Sequence, residues 1–296
     1  MGSILDDIES RPGSTISVLR TVIGLYLRRL DGSISIANLV GLMEDLGVAD
    51  SLTRTAVVRL KKKGMLIAER KPVIGYRLNP DALPMLASGD RRIFTIRSMA
   101  EGDPWCLISF SIPEQLRDRR HQLRRRLHWI GCGTVSQALW ICPDYLAQEV
   151  EDILEDVGVR SFATTFRAEQ PRVAGQLTDA VASWWDLDAL REAHLEFLDA
   201  VDGLVSNRPL TPREAFANYV MLIDRWRVIP YIDPGLPASL LPADWPGSRS
   251  IDLFREKSAL LADPAWEHVS KTVGPGHPAI NPADGKARGG TVMPCR

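Results

Sequence analysis

Cysteine is scarce in this sequence: four among 296 residues, at positions 106, 132, 142 and 295, with no C-x-x-C pair. That spacing argues against a disulfide frame or a zinc knuckle and fits a reducing, cytoplasmic setting. Long apolar runs are also missing, and none approaches the roughly 18 residues of a membrane span. Residues 1–11 are polar and acidic, so no signal peptide is expected there. The five histidines (121, 128, 194, 268 and 277) show neither H-x-x-x-H nor H-E-x-x-H spacing, and G-x-S-x-G and a Gly-rich loop after a strand are absent. The expectation is a non-enzyme without metal or cofactor.

Net charge is scarce as well, at −1, with 45% hydrophobic and 25% charged residues and a mean hydropathy of −0.08, as in ordinary globular proteins. Its distribution is uneven. Residues 49–77 hold eight Lys/Arg and two acids, a local +6 that leaves −7 for the rest. Positive charge concentrated in about a tenth of a chain is the footprint of a DNA-binding element.

Within that segment, residues 51–63 read S-L-T-R-T-A-V-V-R-L-K-K-K. At about 100° per residue, Leu52, Ala56 and Leu60 share an apolar stripe, and Ser51, Arg54, Val58, Lys61 and Lys62 fall opposite. Two helices are expected before it. The first runs from Ser14 through Leu30; the second is capped by Ser33 or Ser35, carries Ile36, Leu39, Val40, Met43 and Leu46 inward and closes at Gly47. After Gly64, residues 65–70 and 76–78 read as strands around a turn of Lys71, Pro72, Val73, Ile74 and Gly75. Helix, helix, turn, helix and basic hairpin is the winged helix-turn-helix order, with the charge on the two parts that touch DNA. Ser51, Arg54, Thr55 and Val58 are base-edge candidates. Lys61, Lys62, Arg70, Lys71 and Arg77 are phosphate candidates, and Arg59, about 60° from the stripe centre, braces the domain or reaches a phosphate.

The expected class is α+β multidomain, with a winged helix-turn-helix at 1–80 after a flexible lead (1–13), and a connector at 81–104. A ferredoxin-like α+β unit follows at 105–170, a mostly helical C-terminal domain at 171–273 and a disordered tail at 274–296. The connector holds a possible short helix, and Arg91-Arg92 read as a solvated face. In the middle unit, strands are expected at 105–110, 134–142 and 159–166. Its first helix carries six arginines (117, 119, 120, 124, 125 and 126), read as pairing with acids at 149, 151, 152, 155 and 156 within the domain or across a dimer. Further on, Thr211-Pro212-Arg213-Glu214 has the form of a capping box, and a final helix takes Phe254, Leu260 and Leu261 inward.

Three strings together resemble the PaaX family of bacterial transcriptional repressors. They are Arg54-Thr55-Ala56-Val57-Val58-Arg59-Leu60; Phe110-Ser111-Ile112-Pro113-Glu114 with Trp129-Ile130-Gly131 and Leu139-Trp140-Ile141; and Trp185-Asp186-Leu187 with Arg225-Trp226-Arg227, Asp233-Pro234-Gly235-Leu236-Pro237 and Asp244-Trp245-Pro246-Gly247. The resemblance covers about residues 15–270. It implies a homodimer on a palindromic operator, regulation of an aromatic catabolic operon, and release from DNA on binding an aryl-CoA thioester. Val58 stands where a small polar residue is expected, and the tail lies outside the shared pattern.

An aryl-CoA requires apolar walls and cations, which makes Trp184, Trp185, Arg225, Trp226, Arg227 and Trp245 the effector-binding candidates. For each, a packing anchor is the competing reading, with Arg227 tying down the proline-rich loop through Asp233. The middle domain is also similar to small CRISPR-associated nucleases that carry an aspartate at the end of the first strand. Phe110-Ser111-Ile112 has no carboxylate there. The alternative to a repressor is a non-catalytic interaction protein with a degenerate winged helix, which has no need of the local +6 charge.

Overall fold

The computed structural model describes residues 10–70, 74–204 and 209–274. Helix α1 (Thr15–Tyr26) is capped by Ser14, whose hydroxyl oxygen accepts from the Ser17 amide. A 3₁₀ turn (Leu27–Leu30) ends at Asp31 in the left-handed region, φ 50°. A three-residue strand, β1 (Ser33–Ser35), follows. Ser35 then caps α2 (Ile36–Asp45) by accepting from the Asn38 amide at 3.0 Å. Helix α3 (Asp50–Lys62) leads into β2 (Leu66–Glu69) and β3 (Gly75–Leu78), which pair antiparallel, and β1 closes the sheet in the order β1-β3-β2. Gly75 faces Ser35 in this ladder, and a Cβ there would overlap the Ile34 carbonyl oxygen. Only glycine lets β1 approach so closely. Strand β1 went unforeseen because three residues are too few to show a period.

The connector is more regular than expected, with a twelve-residue helix, α4 (Leu83–Phe94). Then come β4 (Trp105–Phe110), α5 (Arg117–Trp129), β5 (Gly133–Ser136), β6 (Leu139–Pro143), α6 (Ala147–Val157) and β7 (Ala163–Ala168). The sheet order is β5-β6-β4-β7 with all neighbours antiparallel, the ferredoxin-like β-α-β-β-α-β arrangement. The single strand expected over 134–142 is in fact this β5-β6 hairpin. Its turn, Gln137-Ala138, carries none of the Gly, Asn or Pro that mark turns.

The C-terminal part holds α7 (Leu177–Trp184), α8 (Leu187–Asp202), α9 (Pro212–Trp226), a short α10 (Ile229–Ile232) and α11 (Gly247–Val273). The capping box at Thr211 and Glu214 is formed on both sides. Helix α11 runs through Pro264, and Leu260, expected inward, is 55% exposed.

Packing does not follow chain order. One buried cluster joins Leu19, Ile23, Tyr26, Val57 and Leu60 to Phe197, Phe216, Trp226, Phe254 and Val269, so the N-terminal helices and the C-terminal helices share a core. Trp226 stacks on Phe254 (4.5 Å, 14°), and its indole N–H donates to the Ile93 carbonyl at 3.1 Å. The middle sheet has its own cluster against α5 and α6, and a third, around Trp105, Ile141 and Trp185, lies at the junction.

A buried ionic knot accompanies the shared core. The Asp224 carboxylate, fully buried, accepts from the Gly13 amide (2.6 Å), the Ser17 hydroxyl, the Thr21 hydroxyl (3.0 Å) and Arg227 Nε (3.2 Å). Arg227 Nη2 in turn donates to the Ser10 carbonyl (3.0 Å) and the Ser17 hydroxyl (2.7 Å). Residues 10–13 of the expected flexible lead are therefore tied down, and residues 1–9 lie outside the described residues. Arg227 pairs with Asp224 rather than with the expected Asp233. Removing one member takes from the other its buried ion-pair partner. Asp224→Ala is expected to cost about 3–5 kcal/mol in urea unfolding, and Asp224→Ala with Arg227→Met to recover more than half of it. A single variant within about 1 kcal/mol of the parent would contradict this role.

Candidate nucleic-acid interface

Helix α3 is set by what it buries. Thr53, Ala56, Val57 and Leu60 face the core, while Leu52 is 53% exposed. The expected stripe of Leu52, Ala56 and Leu60 is thus rolled toward Val57, which packs in the shared core with α1 residues. The roll carries Arg59 outward, so it is exposed and not a brace.

Ser51, Arg54, Thr55, Val58, Arg59, Lys61 and Lys62 are all exposed on this helix. Arg54 Nε lies 2.7 Å from Asp50 Oδ1 one turn back, both about half exposed. Such a surface pair is worth about 0–1 kcal/mol, and leaves the guanidinium available. The Thr55 hydroxyl donates to the Ser51 carbonyl at 2.9 Å. Past Gly64, Arg70 at the end of β2 and Arg77 on β3 are exposed. Arg77 stands opposite Ile67 on one side and Ser33 on the other. Lys71 lies outside the described residues, and Ile74, just before β3, is 70% exposed. All ten DNA-binding candidates except Lys71 are therefore described, and each of the nine is exposed on α3 or the hairpin that adjoins it.

The other arginine run is absorbed within its own domain. On α5, Arg126 pairs with Asp156 (3.3 Å), Arg120 with Glu114 (2.9 Å), and Arg119 and Arg124 donate to the carbonyls of Gly158 and Gln137. Of the acids expected as partners, Asp156 meets Arg126. Glu149 and Glu151 instead meet Arg92 (3.3 Å) and Arg160. Arg92, expected on a solvated face, also donates to the Ile130 carbonyl and locks the connector to the middle domain.

The six effector candidates do not form one site: Trp184, Trp185 and Trp245 pack together in the junction cluster, apart from the other three. Trp226 and Arg227 belong to the shared core, and Arg225 is exposed on the opposite side of α9. Trp185 donates to the Gly131 carbonyl at 2.9 Å, and its ring fills the space that a Cβ on Gly133 would need. Trp184 is half-buried beside it. Trp245, also half-buried, meets His194 edge-on (5.9 Å, 70°), and His194 Nε2 lies 2.8 Å from Asp233 Oδ2. Beside Trp245, the hydrogen-bonded Arg191 guanidinium holds the Asp244 carboxyl down at about 2. A cleft does open elsewhere, between α1, α4 and α9, lined by Thr21, Leu25, Leu86, Phe94, Ile223 and Arg227. Its sequence signal is a pair of glycines inside helices, Gly24 and Gly89, which leave room there.

Other chemistry is sparse. Cys106 and Cys142 face each other across β4 and β6, and a thiol hydrogen bond to Cys142 together with burial pushes the Cys106 thiol up, away from thiolate reactivity. Among the described residues, no cluster of three or more metal-binding side chains occurs, and no helix is long and apolar enough to cross a membrane. At the end of β4, Phe110 and Ile112 are buried around Ser111.

Comparison with known proteins matches this architecture piece by piece. Residues 14–81 match the PaaX-like protein family, residues 99–181 the PaaX protein central Cas2-like domain, and residues 185–271 the PaaX-like protein C-terminal domain. The chain belongs to the PaaX family. The transcriptional repressor PaaX of Escherichia coli (strain K12) is 28% identical over 276 residues, covering 89% of this chain and 85% of the relative. Among solved structures, the uncharacterized protein Rv0674 from Mycobacterium tuberculosis has a TM-score of 0.56 at 23% identity, covering 84% of this chain and 97% of that one, and shares the fold. The PaaX-like match at 14–81 spans α1 through β3 and with them every DNA-binding candidate.

The packing roles above predict a contrast. Trp185→Ala is expected to cost about 3–5 kcal/mol in urea unfolding, and Arg225→Ala less than about 0.5 kcal/mol. Equal effects would show that Trp185 is not an anchor.

Proposed function

We propose that this PaaX-family chain is a transcriptional repressor, with residues 1–80 as a winged helix-turn-helix that places α3 in the major groove and the β2-β3 wing against the backbone. The observation that carries the reading is the +6 segment. Its described cations stand exposed on α3 and the hairpin, on a scaffold that buries only the opposite side of α3. The name of the Escherichia coli relative supports the same role. In this reading residues 81–104 connect, 105–170 and 171–273 carry dimerisation and effector response, and the tail follows at 274–296. The protein is cytoplasmic and non-catalytic, binds a palindromic operator as a homodimer, and governs an aromatic catabolic operon. An aryl-CoA thioester releases it.

The test is duplex binding as a function of salt. Because phosphate contacts release counterions, log affinity falls linearly with log salt. Arg70→Ala is expected to lower that slope by about one, with little change in sequence preference. Arg54→Ala is expected to cost about 1–3 kcal/mol on the preferred duplex and to relax the choice at one base pair. Binding that ignores salt would remove the DNA-binding reading.

A further inference from the structure

The groups that α3 offers to a groove are more apolar than its sequence suggests. Leu52 and Val58 are 53% and 45% exposed, among the few large apolar side chains left in solvent. Thr55 lies between them at a spacing of three on either side. Its hydroxyl is turned back to the Ser51 carbonyl, which leaves the methyl as its free end. Leu52, Thr55 and Val58 thus form one aliphatic ridge on the exposed face. The ridge spans about 9 Å along the helix axis, between two and three base steps of about 3.4 Å. Cations border it, with Arg59 and Lys62 on the same face and Arg54 and Lys61 beyond, so its surroundings suit a polyanion and not an apolar protein surface.

We propose that this ridge reads the C5 methyl groups of thymine in the major groove, so that base choice rests on apolar contact more than on hydrogen bonding. The inference rests on the reading of α3 as the DNA-contacting helix. Methyl groups are the only apolar features that base edges present in that groove, and they distinguish A·T from the other pairs. Burying a methyl against isobutyl or isopropyl is worth about fourfold in affinity each, so two or three contacts amount to roughly 16- to 64-fold.

The test uses the full chain and a preferred duplex selected from a random pool. The duplex is resynthesised with uracil in place of thymine, which removes the methyls and keeps every hydrogen-bonding edge. The wild type is expected to bind the uracil duplex at least tenfold more weakly, with an unchanged salt slope. Leu52→Ala with Val58→Ala is expected to bind both duplexes almost equally. Thr55→Ser, which keeps the hydroxyl and loses the methyl, should remove part of the difference. These sites are exposed and alanine favours helix, so the variants keep the fold, as circular dichroism would verify. Indifference of the wild type to uracil, a full thymine preference in the double variant, or a selection without sequence preference would each overturn the proposal. Salt-dependent binding without methyl dependence sinks this inference alone, whereas absence of salt-dependent binding sinks the DNA-binding reading beneath it.

Discussion

The carboxylate of Asp224 sits with no solvent exposure between the first and ninth helices, and much of the chain's order depends on how its charge is met. Four donors reach it, three of them from residues 13–21 and one from Arg227 on its own helix side. A buried carboxylate is tolerated only when so satisfied, and this placement of α1 on α9 supplies those donors. Around it, Tyr26, Phe216, Trp226 and Phe254 close an apolar core drawn from both ends of the chain. Helix α1 is also what α3 packs on. The position of α3 is therefore referred, through one ionic knot and one core, to the C-terminal helices.

This arrangement joins α9 and the connector helix α4 to α1 without passing through the middle sheet. The cleft between α1, α4 and α9 lies at that joint and adjoins Arg227. The middle unit, by contrast, has its own core and meets the C-terminal part at the cluster around Trp105, Ile141 and Trp185. Several of its arginines meet its own carbonyls and acids, and Cys106 and Cys142 are buried opposite each other on β4 and β6. The proline-rich loop holds it to the rest: Tyr145 donates to the Pro234 carbonyl, the Met99 amide donates to Gly235, and Gly235 adopts a left-handed φ of 63° where a Cβ would meet the Arg97 carbonyl.

On α3 the competition between hydrogen bonding and apolar contact is decided by local geometry. Thr55 satisfies its hydroxyl within the helix, whereas the surface pair of Arg54 with Asp50 leaves the guanidinium available. Leu52 and Val58 have no such partner and are left outward by the roll of the helix. In the proposed DNA-binding role, cations would give affinity that is indifferent to sequence, and methyl contacts would supply the discrimination that charge cannot.

What the sequence by itself determined is local. A cap at Ser33 or Ser35, the capping box at Thr211, the stop at Gly64, the strand–helix alternation of the middle unit and the +6 segment were all legible, because each depends on neighbours within a few residues. The resemblance in the Trp-, Pro- and Asp-rich strings supplied the family. Tertiary structure decided the rest. Leu52 and Val57 compete for one buried face, and only the surface of α1 selects Val57. Trp185, Trp226 and Arg227 carry the right groups for a ligand, yet the bare backbone at Gly133, the carbonyl of Ile93 and the buried Asp224 claim them first. Strand β1 exists because β3 offers it a partner across Gly75. Such outcomes turn on contacts between residues far apart in the chain, and no periodicity within a window of a dozen residues records them.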